Sequence, residues 1–392
     1  MANDEPVKPA PNRVVMLRGA DGPEATPPAG PQPGIALCLS GGGYRAMVFH
    51  VGVLWRLNEL GYLAKLAGVS SVSGGSITAG VLALGWSGLG FDARGVAANF
   101  DQQVVAPLLD LAANTIDAEA AILGLLPEVS AAGRVEDAYR HHLFAHHTLQ
   151  DLPDHPEFVI NATNLQSGVL WRFTKRFTWD WRVGKIVDPR LELAVAVAAS
   201  SAFPPVLSPV RLQFSEGDYA PGSGANLQHP PFTTDVFLAD GGIYDNLGLE
   251  PVWKRYDTIL VSDAGKAMAF DEKPKTDYLL QSLRVLDVIQ NQVHALRTRE
   301  LVSSYKAKER QGAFWGINTR IADYQATGTL PCPPDKTAQL AAIPTRLGAL
   351  PQATQQQLVN WGYAVCDAAM RAYVDTTLPA PTGFPYPAQG IG

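Results

Sequence analysis

The sequence predicts an α/β protein: a three-layer α/β/α fold with a mostly parallel central sheet and additional C-terminal helices. Three observations carry that prediction. Short apolar runs alternate with segments of helical periodicity, the pattern of a parallel sheet covered on both faces. Two of the runs, Ile35–Leu39 and Leu66–Ser71, pass directly into small-residue turns that open helices. A third, Val236–Ala239, ends at Asp240-Gly241-Gly242. With 392 residues, 46% hydrophobic and 17% charged, the chain has ample material for one large core.

Residues 1–33 are rich in proline, glycine and alanine without periodicity and read as a disordered or extended tail. The run Ile35–Leu39 then reads as a strand feeding Gly41-Gly42-Gly43. Val48, Val51, Leu54, Leu57 and Leu60 follow at helical spacing. Consecutive glycines at a helix start expose several backbone N–H groups, which suit a phosphate or a developing oxyanion. A nucleotide site is disfavoured, because no Lys-Ser/Thr follows the glycines and the G-x-G-x-x-G spacing is absent. Arg45, two residues past the last glycine, either braces the loop or adds positive potential there.

The second strand, Leu66–Ser71, leads to Ser73, and Gly75–Trp86 continues as a helix carrying Ile77, Val81, Leu82 and Leu84. A nucleophile elbow has the form small-x-Ser-x-small, because strand and helix approach too closely for larger side chains. Its strained turn presents the serine oxygen at a helix N-terminus. Ser71, Ser73 and Gly75 fit that form; Ser70, Ser71 and Ser76 each lack a glycine two residues on. Taken alone the pattern is more often a structural turn, and it gains weight from the glycine loop upstream. Asp240, in its glycine turn, is placed to take a proton. A free aspartate, with a pKa of about 3.9, is a feeble base in water and must work in a dry site. Asp-Gly-Gly by itself is usually only a turn.

The ordered set of Gly41-Gly42-Gly43-x-Arg45, the Ser71-x-Ser73-Gly74-Gly75 elbow and Asp240-Gly241-Gly242 resembles the patatin-like phospholipases. His50-Val51-Gly52-Val53-Leu54, Ala162-Thr163-Asn164-Leu165, Ala199-Ser200-Ser201-Ala202-Phe203-Pro204 and Asn246-Leu247-Gly248-Leu249 extend the likeness, which is strong from about residue 34 to 250. The resemblance implies a lipid acyl hydrolase using a Ser–Asp dyad without histidine. Ser73 would be the nucleophile, Asp240 the base, and Gly41, Gly42, Gly43 and Arg45 the oxyanion site. Ser71, Gly74, Gly75, Gly241 and Gly242 would support the elbow and the turn. The departure from the family pattern is Ser71, where the elbow usually has glycine. The implied substrate is a phospholipid or other acyl ester met at a membrane or micelle surface. An acyltransferase, a thioesterase, a neutral-lipid lipase and a catalytically silent lipid-binding module are the alternatives. No cofactor, metal or nucleic acid is expected.

The remaining segments read as support. The catalytic domain is expected over 34–378, with motifs in 34–250, a helical part over 275–378, and a Pro/Gly-rich tail over 379–392. Val104 to Leu126 (with Ile122, Leu123, Leu125 and Leu126) is apolar enough for a lid or interfacial helix, with buried core the favoured reading. His141, His142, His146 and His147 crowd one stretch but lack acidic or cysteine ligands at familiar metal spacing. Trp171 to Trp181 alternates aromatic and polar residues, as in a hairpin with an apolar face. Asp277 to Gln311 carries Leu279, Leu283, Leu286, Ile289, Val293, Leu296 and Leu301, and is expected to lie as a long amphipathic helix against the core. A last helix, roughly Gln355 to Val374, presents Leu358, Trp361, Val365, Ala368 and Ala372. His50, inside the first helix, reads as a packed histidine rather than a third catalytic group. Cys38, Cys332 and Cys366 are too few and scattered for a disulfide framework or zinc site. A net charge of −6 argues against attraction to anionic membranes. Neither a signal peptide nor a bilayer-spanning run is visible, so the expectation is a cytoplasmic protein that touches the membrane peripherally.

Overall fold

A computed structural model of the chain describes residues 30–116 and 131–392. Most of the N-terminal tail and Ile122, Leu123, Leu125 and Leu126 of the apolar segment lie outside the described residues; Val104, Val105, Leu108 and Leu111 of that segment are buried.

The strands are β1 (Gln32–Leu39), β2 (Leu66–Val72), β3 (Glu157–Asn164), β4 (Val169–Phe173), β5 (Phe177–Asp180), β6 (Gly184–Val187), β7 (Val210–Gln213), β8 (Asp235–Asp240), β9 (Tyr256–Asp263) and β10 (Gln311–Gly316). They form one sheet in the order β10-β9-β1-β2-β3-β4-β5-β6, with β8 also paired to β3 and β7 to β8. From β10 to β3 all neighbours are parallel, and helices flank this part of the sheet. β4, β5 and β6 extend it as antiparallel hairpins. The buried positions of β1 and β2, Ala36–Leu39 and Gly68–Val72, are continuous rather than alternating, as burial on both faces requires.

The pairing of β8 fixes the site. β2 pairs with the first half of β3, from Gly68↔Glu157 to Val72↔Asn161. β8 pairs with the rest of β3 in the opposite sense, from Asn164↔Leu238 to Ala162↔Asp240. The two strands therefore run toward each other along β3, and their carboxyl ends meet. Ser73 leaves one end and Asp240 closes the other.

Helix α1 (Gly43–Glu59) follows β1 and α2 (Gly74–Gly85) follows β2; α3 (Leu193–Ser200) packs beside α2. The long helix α4 (Tyr278–Lys306) begins at Asp277, whose carboxylate accepts the Leu280 amide at 2.9 Å, a side-chain N-cap. The last long helix, α5 (Gln352–Ala369), packs along α1. A Cβ at Gly52 would stand 1.9 Å from the Val359 carbonyl, and one at Gly362 would stand 2.0 Å from the Phe49 carbonyl. The crossing thus exists only because both positions lack side chains. Arg56 of α1 pairs with buried Asp367 of α5 at 2.8 Å. Residues 379–392, set apart by composition as a tail, are pinned beside this pair: Asn360 donates to the Tyr386 carbonyl at 2.9 Å, and Ile391 is buried.

The hairpin over Trp171 to Trp181 buries Trp171, Phe173 and Trp179, and its other face is covered as well, with Arg172 and Thr178 buried. All three cysteines are unpaired and buried. Helix α4 departs from expectation. Of the residues that suggested an apolar face against the core, Leu301 is buried, whereas Leu286, Ile289 and Leu296 are each 51% exposed. The side that lines the cavity carries Arg284, Asp287, Asn291 and His294 together with Val293, and Asp287 and Asn291 on it are exposed. Periodicity reveals that a helix has two faces; it does not reveal which one the protein covers. Among the described residues no helix is long and apolar enough to cross a membrane.

Candidate active site

Ser73 occupies the turn between β2 and α2 with φ 51° and ψ −121°, in the region that side-chain-bearing residues rarely adopt. The strain is held from behind. The Ser73 amide donates to Ser200 Oγ at 2.9 Å, and Ser200 Oγ donates to the Asn161 carbonyl at 2.7 Å. Ser71 tolerates its place because its hydroxyl donates to the Val159 carbonyl at 3.3 Å and accepts from Ser76 at 3.0 Å. Gly74 and Gly75 are required by contact: a Cβ would stand 2.1 Å from the Gly43 carbonyl at the first and 2.4 Å from the Leu39 carbonyl at the second.

Asp240 is 3% exposed and lies opposite the serine. One carboxylate oxygen accepts the Gly242 amide at 2.7 Å, and the carboxylate is within hydrogen-bonding reach of the Ser73 hydroxyl. Burial pushes its pKa from 3.8 up to about 6, against the lowering effect of those two donors. Thr163 donates to the Asp240 carbonyl at 2.8 Å, so its position along β3 is fixed on both sides. A Cβ at Gly241 would stand 2.4 Å from the Asn161 carbonyl, which keeps this turn tight against β3.

The glycine loop stands beside them. A Cβ at Gly41 would come 3.0 Å from the Ser73 Cβ. Gly42 has φ 148°, which glycine alone adopts without strain. Not every amide of the loop faces the serine: the Gly41 amide donates to the Asn246 carbonyl at 3.2 Å, and the Tyr44 amide to the Arg346 carbonyl at 3.0 Å. Among the described residues the Gly42, Gly43 and Gly74 amides have no acceptor. Arg45 is fully buried and its guanidinium is spent on carbonyls, with Nη2 and Nε on Ala264 at 2.9 and 3.2 Å and Nη1 on Ile343. Burial lowers its pKa to about 10, partly offset by Asp263. It ties the loop to the chain leaving β9 and does not reach the serine as a donor.

Ser73, Asp240, Gly41, Gly42 and Gly242 line one cavity of about 710 Å³, which opens under α4. Sequence reasoning did not single out three of its features. Asn246 threads among the glycines, its Oδ1 2.5 and 2.6 Å from where Cβ atoms at Gly41 and Gly242 would stand. Asp263, at the end of β9, accepts from His294 Nε2 at 2.8 Å. Burial works against both charges, yet their mutual attraction, with the Gly265 amide on Asp263, prevails: the Asp263 pKa is lowered and that of His294 raised. Ser200 and Asn246 fall in stretches that carried the family likeness; nothing local marks His294, since α4 reaches the site only by tertiary packing.

His50 is buried with its ring nitrogens 2.9 Å from Ser262 Oγ and 3.0 Å from the Ser40 carbonyl, and burial lowers its pKa to about 4. It does not line the cavity. His146 contacts Glu192 at 3.1 Å and His147 contacts Asp151 at 3.6 Å. Among the described residues no group of three metal-ligating side chains gathers, there or elsewhere.

Fold and cavity together define a layered α/β protein whose serine elbow faces a buried carboxylate. The profile described as Patatin-like phospholipase matches residues 37–253, more than half of the chain. The chain belongs to that family. No curated protein matches it in sequence. Among solved structures, human GIVD cytosolic phospholipase A2 in complex with methyl gamma-linolenyl fluorophosphonate aligns with a TM-score of 0.48 at 13% identity, covering 86% of this chain and 57% of that one. VipD from Legionella pneumophila aligns with a TM-score of 0.35 at 16% identity, covering 85% and 66%. The chain thus spans less than two thirds of the length of either.

Proposed function

We propose that the protein is a phospholipid acyl hydrolase in which Ser73 is the nucleophile and Asp240 the base. The observation that carries this is the buried Asp240 carboxylate, its pKa raised to about 6, within hydrogen-bonding reach of a strained serine at a cavity mouth. A base serves best when its pKa lies near the working pH, and burial supplies most of the distance from an ordinary aspartate.

The reaction follows from the placement. Ser73 Oγ adds to the ester carbonyl carbon while its proton passes to Asp240. The Gly42, Gly43 and Gly74 amides are the available donors for the oxyanion, and Arg45 holds the loop that presents the first two. Collapse of the tetrahedral adduct breaks the bond to the leaving alcohol, which takes the proton from Asp240. Water then adds to the acyl-enzyme, again losing its proton to Asp240; collapse returns that proton to Ser73 Oγ and releases the fatty acid. No step calls for a metal or cofactor.

Residues 34–378 act here as one catalytic unit that meets lipid peripherally. Contact with a membrane or micelle surface is supported by the outward apolar residues of α4 and by Phe270, 103% exposed just before it. Three unpaired, buried cysteines fit a cytoplasmic setting. The test is a fluorophosphonate probe with mass-spectrometric mapping on the wild type, Ser73→Ala and Asp240→Asn. Labelling at Ser73 that disappears in Ser73→Ala and collapses in Asp240→Asn is expected. A folded Asp240→Asn protein that labels at the wild-type rate would sink the dyad.

A further inference from the structure

One wall of the cavity that Ser73 lines is a face of α4 that is polar apart from Val293. Arg284, Asp287, Asn291, His294 and Arg297 line it at spacings of three and four residues, while Val285, Leu286, Val288, Ile289 and Leu296 are left exposed. A helix that leaves its apolar face in water and turns its charges onto a cavity marks that cavity as a place for a polar ligand group. Deep in the wall the charges are already matched: His294 is paired with Asp263 at 2.8 Å and Arg297 with Glu250 at 2.9 Å. Toward the mouth they are not. Arg284 is clasped to the Ala269 carbonyl at 2.8 Å, which brings it to the loop that carries Lys266. Lys266, Arg284 and Asp287 all line the cavity, and none has an ion-pair partner among the described residues.

We propose that these three residues form a head-group subsite selecting zwitterionic glycerophospholipids, with Lys266 and Arg284 on the phosphate and Asp287 on the ammonium end. Arg284 and Asp287 lie one turn apart on α4, about 5–6 Å between Cβ atoms, a span comparable with that from phosphorus to nitrogen in a choline or ethanolamine ester. Guanidinium and ammonium groups suit phosphate oxygens, and an exposed carboxylate suits a cationic head. The cavity's apolar residues, among them Phe203, Leu247, Met268 and Phe314, are available to the glycerol and the start of an acyl chain. The net charge of −6 gives the whole molecule no preference for anionic surfaces, so head-group choice falls to these local charges. The assignment rests on Ser73 being the nucleophile, which the test keeps separate.

The test measures binding of short-chain phosphatidylcholine and phosphatidylglycerol, below their micelle concentrations, to full-length Ser73→Ala protein by calorimetry, and needs no turnover. The choline lipid should bind about tenfold tighter, the worth of one close charge pair between Asp287 and the quaternary ammonium, which has no N–H to donate. Adding Asp287→Lys should reverse the order, Asp287→Asn should abolish the preference, and Lys266→Ala with Arg284→Ala should weaken both lipids. Equal affinity for the two lipids, or a preference unmoved by both Asp287 variants, would overturn the subsite. Loss of fluorophosphonate labelling in the parent protein bears on the nucleophile instead. Turnover ratios for the two lipids, in protein that does label at Ser73, should follow the binding order; a ratio indifferent to Asp287→Lys counts against the subsite with the nucleophile intact.

Discussion

Replacing Asp240 by asparagine should make the protein more stable at neutral pH while removing its activity. Burial raises this carboxyl from 3.8 to about 6, so folding discourages its ionisation. Below about pH 4 both folded and unfolded chains hold the proton and the group contributes nothing. Between the two pKa values only the unfolded chain ionises, and stability falls as pH rises. Above pH 6 the folded protein carries the whole cost, about 3 kcal/mol at about 1.4 kcal/mol per pH unit. Asparagine keeps an oxygen for the Gly242 amide and never ionises. Urea unfolding followed by tryptophan fluorescence from pH 4 to 8 should therefore show a mutant advantage that grows with pH and levels off above 6. Wild-type turnover should rise through the same range, because Asp240 accepts a proton only when ionised. A stability difference that is flat with pH, or that favours the wild type increasingly as pH rises, would refute the account of the buried base.

Three further outcomes follow from the geometry. Gly52→Ala or Gly362→Ala must part α1 from α5, since a Cβ would sit 1.9 or 2.0 Å from a backbone carbonyl; a loss of about 3 kcal/mol is expected in denaturant titrations, at the upper end for overpacking. Ser73→Gly relieves the backbone strain at φ 51° that Ser73→Ala retains, so the glycine variant should be the more stable of two inactive proteins by about 1 kcal/mol. Arg45→Ala frees the loop from Ala264 and Ile343 and should slow fluorophosphonate labelling about a hundredfold. Arg45→Lys should not restore it, because an ammonium cannot span both carbonyls as the guanidinium does.

The motifs of the candidate site were legible because their constraints are local. A serine two residues before a glycine, between a strand and a helix, states its steric requirement within five residues. Asp240 announced its turn but not its partner: its meeting with Ser73 depends on β8 running against β3 beyond the end of β2, a relation no neighbouring residue encodes. The same limit explains Arg45, whose proximity to the glycines suggested either a brace or a source of potential; the choice was made by the Ala264 and Ile343 carbonyls, both more than two hundred residues away. It also explains α4, whose periodicity showed two faces while cavity packing decided which one turned in. Ser200 was visible as part of a familiar stretch, yet its service to the Ser73 amide emerged only when α3 packed beside α2.

The head-to-head meeting of β2 and β8 has a consequence for the protein's birth. Roughly 170 residues separate serine from aspartate, so at about 5–20 residues per second a ribosome needs some ten to thirty seconds to deliver the second after the first. Until then Ser73 has no Asp240 facing it, and α1, which carries the glycine loop, still lacks the α5 surface it packs on. The candidate pair can therefore meet only once synthesis has passed well beyond the middle of the chain.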